Sequence, residues 1–372
     1  MPDKPQFINQ MQPWIGPEEK EALVNYLDSG GWLTEFQRTR EFEQSIARYV
    51  GSQYSSVVSN GTVSLFIALL ALGVGPGDKV IVPDYSMIAS ANAVLLAGAT
   101  PVFVDIDQAT LCLNLDLAEK AITRRTKAIM VVSVNGRGPD MDRVVSLAHE
   151  HGLFLLEDAA QSLGSRWHGK HLGSFGQIGS FSFSTPKVIT TGQGGALVTD
   201  DEDLIASIRK IKDFGRLKAG VDEHIALGWN FKITDLQAVI GLAQMTKLGW
   251  RVQRKKEMFA LYQRELGGVP EVTFVETILE DVSPWFIDVL VPDPLTLRDY
   301  LHERGIGSRP FYPPIHTQAP YHMTDNYPNT EYVSRHGLWL PSSSFLDDDT
   351  IRHICGEIRA FYRQHPNSRG MA

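Results

Sequence analysis

Cysteine is nearly absent from this chain: its 372 residues include two, Cys112 and Cys355. That excludes a cysteine-held metal cluster and a disulfide framework, leaves at most one bridge, and suits a reducing compartment. Excess positive charge is missing too, since 35 Lys and Arg face 43 Asp and Glu for a net charge of −8. This argues against a nucleic-acid groove, while a local basic pocket for phosphate stays open. No apolar run reaches the roughly 18–20 residues of a membrane span. The opening Met1-Pro-Asp-Lys-Pro-Gln6 has no apolar core of the kind a signal peptide needs. Internal repeats and low-complexity tracts are lacking. With 43% apolar and 21% charged residues, the chain reads as a soluble globular protein of the cytoplasm, long enough for two domains.

Two periods alternate along it. Residues 17–28 and 35–49 read as amphipathic helices, each followed by glycine. Short apolar runs at 57–59, 79–83, 101–105, 128–134 and 153–157 read as strands. Helices are expected between them at 62–72, 88–97, 116–122 and 141–151. Such βαβ units build a mostly parallel, buried sheet, here followed by two Gly-rich hairpin strands. Residues 235–266 read as one long helix, with Gly249 as a point where it could break. Strands at 271–275 and 285–291 and helices at 295–304 and 348–363 follow, so a domain boundary is expected near residue 250.

The most informative stretch is Gly179-Ser-Phe-Ser-Phe-Ser-Thr-Pro-Lys187-Val-Ile-Thr-Thr-Gly-Gln-Gly-Gly195. An alternating strand breaks at Pro186, presents Lys187, and turns through glycines into a second strand. A Schiff-base lysine needs such a place: close approach of a bulky aldehyde cofactor, with small hydroxyls to hold its phosphate. The bland alternative is a surface lysine in an ordinary hairpin. Three other segments favour the chemical reading. Ser59-Asn-Gly-Thr62 is a strand-to-helix turn whose free N–H groups suit a phosphate, though many plain helix caps look alike. Asp158 closes a buried strand at the edge where ligands of open α/β sheets bind. There it could pair with a protonated pyridine nitrogen, or simply cap a helix, and Gln161 one turn on could reach a ring hydroxyl. Ser182 and Ser184 share one strand face.

The order Ser-Asn-Gly-Thr62, Glu157-Asp-Ala-Ala-Gln161, Phe181-Ser-Phe183, Lys187 with Thr-Thr-Gly-Gln-Gly-Gly195, and Gly228-Trp-Asn-Phe-Lys-Ile-Thr-Asp235 resembles the DegT/DnrJ/StrS family of pyridoxal-phosphate sugar aminotransferases. The resemblance covers about residues 12–361. Within the family, the Lys187–Gly195 stretch and Arg309-Pro-Phe-Tyr-Pro-Pro-Ile-His316 are most similar to perosamine-synthase-type enzymes.

The resemblance implies a type I aminotransferase fold. A large cofactor domain with a mostly parallel mixed sheet would span 1–250, and a small α+β domain 251–372. It implies that Lys187 carries the cofactor as a Schiff base and transfers the proton, while Asp158 binds the pyridine nitrogen. Gln161 would meet the ring oxygen, Met87 its face, and Gly61, Thr62 and Ser182 the phosphate. Asn230 would reach that phosphate from the neighbouring subunit of a homodimer, and Arg309 and His316 would lie near the substrate. The implied reaction moves an amino group from L-glutamate to a keto sugar, foremost C4 of a nucleotide-linked 4-keto-6-deoxyhexose, for a surface polysaccharide such as O-antigen. A keto sugar free of nucleotide is the alternative. A sugar dehydratase is disfavoured because such relatives have His where Lys187 stands, and a mere binding module because the whole set is intact. Met87 stands where the family commonly has Phe or Tyr, and Ser133-Val-Asn-Gly-Arg137 replaces His-Leu-Tyr-Gly-His. Lys232 replaces Arg. His168, His171 and His224 read as exposed, and Arg254-Lys-Lys256 as a solvated face.

Overall fold

The computed structural model describes residues 7–321 and 323–365. The stretch 1–6, read above for a signal peptide, lies outside the described residues. Two helices, α1 (Pro17–Asp28) and α2 (Gln37–Val50), lead into an alternating region. It runs β1 (Tyr54–Val58), α3 (Gly61–Ala71), β2 (Lys79–Pro83), α4 (Ala89–Leu96), β3 (Thr100–Val104), α5 (Leu115–Ala121), β4 (Thr126–Val132), α6 (Met141–Glu150) and β5 (Phe154–Asp158). A small hairpin, β6 (Arg166–Trp167) with β7 (Lys170–His171), precedes β8 (Ile178–Ser182), β9 (Gly195–Thr199) and α7 (Glu202–Lys212). The long helix α8 (Asp235–Leu266) follows. The chain ends with β10 (Thr273–Phe274), β11 (Ile287–Leu290), α9 (Pro294–Glu303), β12 (Arg309–Pro310), α10 (Pro328–His336), β13 (Gly337–Leu340) and α11 (Asp348–Gln364).

Seven strands form the main sheet in the order β1-β9-β8-β5-β4-β2-β3. Pairings from β3 through β8 are parallel, and β9 runs antiparallel to both its neighbours. The expected mostly parallel mixed α/β sheet is therefore present. Helices cover it, so its central strands are buried on both faces and read as continuous Val/Ile/Leu runs. A second sheet, β10-β11-β13-β12, is wholly antiparallel.

Helix α8 is continuous through Gly249, where an added Cβ would meet nothing within 4 Å. The boundary expected near 250 falls inside it. Its first half packs on α1 and α2, and Met258, Phe259, Leu261 and Tyr262 join the apolar core beneath the second sheet. Helix α7 was not anticipated, although Asp201 caps it and isoleucines recur at 205, 208 and 211 on its buried side. Cys112 and Cys355 are both buried and free, so no bridge joins them. No helix among the described residues is long and apolar enough to cross a membrane.

Two polar readings are corrected. His168 and His224 are exposed, but His171 is buried beside Tyr49, and burial depresses its pKa to about 4. The run at 254–256 is not a solvated face throughout, because Lys255 is 1% exposed. Its ammonium donates to the carbonyl oxygens of Trp285 (2.9 Å) and Ser342.

Candidate functional site

Two adjacent carboxylates close β5, and alternation sends them to opposite faces. Glu157 is saturated: its oxygens accept the N–H groups of Gly173, Phe175 and Gly176 at 2.6–2.8 Å. Asp158 is not. It accepts the Ser90 hydroxyl at 2.7 Å and the Ala160 N–H at 3.2 Å, and burial raises its pKa. A buried carboxylate with so few donors has room for one more, preferably cationic.

The ends of three strands converge beside it. Gly195 pairs with Ser182 on one side and Val58 on the other. A Cβ on Gly195 would lie 2.6 Å from the Asn60 carbonyl, so only glycine lets β9 pass under the turn into α3. A Cβ on Gly61 would meet that of Ser182 at 2.9 Å. Asn60 caps α3 by accepting the Val63 N–H at 2.9 Å. The amides of Gly61 and Thr62 have no partner among the described residues and stand at the positive end of the helix. Ser180 donates to Ser64 (2.7 Å), and Ser64 to the Ala196 carbonyl (3.0 Å), which locks α3 to β8 and β9. Ser182 Oγ makes only two long contacts, both at 3.4 Å and both with Ser184, leaving its hydroxyl available.

Lys187 follows in a loop tied back to β8 by Thr191 N–H and Thr190 Oγ1, both donating to the Phe183 carbonyl. Its ammonium lies 4.0 Å from the centre of the Trp285 ring. Burial lowers its pKa to about 8, against the opposing attraction of Asp158. The loop is gripped by side chains along one stripe of α8. Gln237 donates to the Gln193 carbonyl (2.8 Å), Gln244 accepts from Thr190 N–H (3.3 Å), and Arg251 donates to the Val188 carbonyl (2.8 Å). Lys255 extends the same stripe to Trp285. Gln237, Gln244 and Arg251, with Ser90 and Trp285, escaped the sequence reading, and Lys255 reads there as a solvated charge. Along the helix, the spacing of seven, seven and four residues is the signal that was there.

The remaining expected residues are placed as follows. Gln161 accepts the Asn135 N–H at 2.9 Å through Oε1, which leaves its Nε2 free to donate. Asn135, at φ +52°, exchanges two hydrogen bonds with the Phe286 backbone. Met87 is 44% exposed, and its carbonyl accepts the backbone N–H of Ser90, the residue whose hydroxyl holds Asp158, at 3.2 Å. Tyr85 is buried among Phe311 and Tyr312, and its hydroxyl has no partner among the described residues. Asn230 is exposed, and neighbouring Lys232 pairs with Asp213. Arg309 is exposed and lies 5.5 Å from the rings of Tyr312 and Trp339. His316 is buried: its Nδ1 and backbone N–H engage Asp84 at 2.6 and 2.8 Å, and burial raises the pKa of Asp84.

Pyridoxal phosphate fits this donor set. A helix end with two free amides and a hydroxyl suits a phosphate, an under-partnered carboxylate suits a ring N–H⁺, and a lysine of lowered pKa suits an aldehyde.

The model of the DegT/DnrJ/EryC1/StrS aminotransferase family matches residues 13–359. The chain is 36% identical to GDP-perosamine synthase of Escherichia coli O157:H7, across 96% of this chain and 99% of that one. It is 32% identical to the spore coat polysaccharide biosynthesis protein SpsC of Bacillus subtilis (strain 168), across 95% and 96% respectively. Among solved structures it resembles the aminotransferase TlmJ of Streptoalloteichus hindustanus, with a TM-score of 0.92 at 31% identity, covering 96% of this chain and 100% of that one.

Proposed function

Because this chain belongs to the DegT/DnrJ/EryC1/StrS aminotransferase family and is a pyridoxal-phosphate-dependent transaminase, we propose that it aminates C4 of a nucleotide-linked 4-keto-6-deoxyhexose. L-Glutamate is the amino donor, and the product serves a surface polysaccharide made from the cytoplasm. The observation that carries the chemistry to particular residues is that Lys187 and Asp158 lie in each other's electrostatic field, at the carboxyl edge of the sheet, beside the open end of α3. The likeness to a GDP-perosamine synthase over nearly the full length of both chains supports a GDP-linked sugar.

When bound, pyridoxal phosphate supplies an aldehyde that bonds reversibly to amines and a cationic ring that withdraws electrons. Asp158 keeps the ring nitrogen protonated, and the Ser90 hydroxyl orients that carboxylate. Lys187, titrating near 8, holds and returns the proton at the substrate carbon at neutral pH. Gly61, Thr62 and Ser182 would hold the phosphate, Gln161 Nε2 would be the donor for the ring oxygen, and Met87 would offer a soft thioether to the ring face. Arg309, exposed and without an ion pair among the described residues, offers its guanidinium to the anionic part of the substrate. His316 acts from behind, positioned by Asp84.

A homodimer completes the site. Trp32, Leu33 and Leu227 are 65%, 57% and 77% exposed, large apolar side chains that a second copy would cover. Asn230 of that copy then faces the phosphate.

The test is a half-reaction. Protein loaded with pyridoxal phosphate should lose its visible band on adding L-glutamate and release 2-oxoglutarate. The band should return with GDP-4-keto-6-deoxymannose, yielding a 4-amino product. Turnover of only a nucleotide-free keto sugar would replace the substrate assignment, and no response to glutamate would overturn the donor.

A further inference from the structure

Trp285 occupies a place that packing alone does not explain. It is 2% exposed, it lies just before β11 and outside every strand, and three separate contacts fix it. Its indole Nε1–H donates to the carbonyl of Pro186, the residue before Lys187, at 2.7 Å. Its own carbonyl accepts the Lys255 ammonium at 2.9 Å. Its ring stacks on Phe286 at 3.9 Å, and Phe286 is clamped at both backbone atoms by Asn135. Lys187 Nζ lies over this immobilised ring, 4.0 Å from its centre.

We propose that the indole face of Trp285 is the station of the Lys187 ammonium whenever that lysine is not bonded to the cofactor, which makes Trp285 a positioning residue for the proton-carrying amine. The proposal rests on the role given to Lys187 above. A Schiff-base lysine is released whenever the cofactor bonds another amine, and a released ammonium in this pocket has few partners. Asp158 attracts it from β5, but that carboxylate is engaged by Ser90 and committed to the ring nitrogen. Tyr312 stands near Asp158, and burial pushes its pKa up to about 12, so it stays neutral. Lys255 lies on the far side, bonded to carbonyl oxygens. A ring face held in place attracts the cation through its quadrupole without taking its proton, so the amine stays charged enough to park and free enough to return.

The experiment reads the titration of Lys187 itself, in cofactor-free protein, by trace acetylation across pH with peptide mass spectrometry. It needs no turnover, so it stands apart from any failure of the substrate assignment. In wild type, Lys187 should titrate far below an ordinary lysine. In Trp285→Leu its pKa should fall further, by about 0.4–1.5 pH units. Trp285→Phe, which keeps a π face and loses the bond to Pro186, should retain most of the wild-type value. Fluorinated tryptophans placed at position 285 keep shape and N–H while draining the ring face, and should lower the pKa in step with the number of fluorines. They also serve if the leucine variant does not fold. An unchanged pKa across the fluorinated series would overturn the proposal. So would a fall in Trp285→Phe as large as in Trp285→Leu, since the bond to Pro186 would then be the cause.

Discussion

Arg137, just past the end of β4, and Asp288, in β11, form an ion pair whose side chains are 3% and 1% exposed. Arg137 also donates to the Thr110 carbonyl and to Thr277 Oγ1, both at 3.1 Å, so with the two bonds to Asp288 four of its five N–H donors are engaged. The residue that departs from the family's histidine thus joins the main sheet to the second one. Removing one partner strands a buried charge, and Arg137→Met or Asp288→Leu should each cost about 3–5 kcal/mol of stability. The double variant Arg137→Met/Asp288→Leu should be far milder than the sum. Urea unfolding of the four proteins decides; additive losses would mean that the two side chains act independently.

Lys187→Ala should abolish transamination, with a loss of at least about 10³-fold, while the melting temperature stays near wild type. Borohydride should fix cofactor to the wild type and not to the variant. Covalent fixation to the variant would place the amine elsewhere.

Asp158→Asn keeps the size of the side chain and removes the charge that holds a proton on the ring. Turnover should fall by about 100-fold or more with cofactor still bound, as measured by kcat alongside equilibrium dialysis. A loss below tenfold would reduce Asp158 to a cap.

Gly195→Ala drives a Cβ to within 2.6 Å of the Asn60 carbonyl, which belongs to backbone and cannot swing aside. The cost should be about 1–3 kcal/mol of stability, together with weaker cofactor binding, because the turn presenting the Gly61 amide must shift. Unfolding of the apoprotein and cofactor titration measure the two effects separately.

Lys255 has its pKa lowered to about 7 by burial, with Arg251 adding to the effect. Above that pH the folded chain releases a proton that the unfolded chain keeps until its ordinary range. Stability from this group therefore rises with pH between about 7 and 10, by up to about 1.4 kcal/mol per pH unit. Lys255→Met should show a correspondingly flatter profile of unfolding free energy against pH. Parallel profiles would contradict the depressed pKa.

Much of this arrangement could be read along the chain. The βαβ rhythm locates β2 at 79–83 and α1 at 17–28, because local period and flanking glycines decide such elements. Asp158, Ser182 and Lys187 stand out because strand ends and Gly-rich turns punctuate the sequence there. What stayed hidden acts over distance. Ser90 reaches Asp158 across 68 residues and Asn135 reaches Phe286 across 151, and neither partner marks its own neighbourhood. Asn135 also explains why the strand expected over 285–291 begins only at Ile287: a side chain takes the place of a neighbouring strand at Phe286. Lys255 misled because a charge flanked by charges looks solvated, whereas its stripe along α8 points inward. The short elements β12, α10 and β13 lack any period long enough to register.

That stripe turns α8 into a measuring rod. Gln237, Gln244, Arg251 and Lys255 meet their targets only while the count of residues between them keeps all four on one side. Deleting a single residue between Gln244 and Arg251 would rotate everything beyond by about 100° and draw it back by about 1.5 Å. The grip on Val188 and the anchor behind Trp285 would then be lost together, and with them the placement of Lys187. The loops around this site can change length without moving these four side chains apart, but this helix cannot.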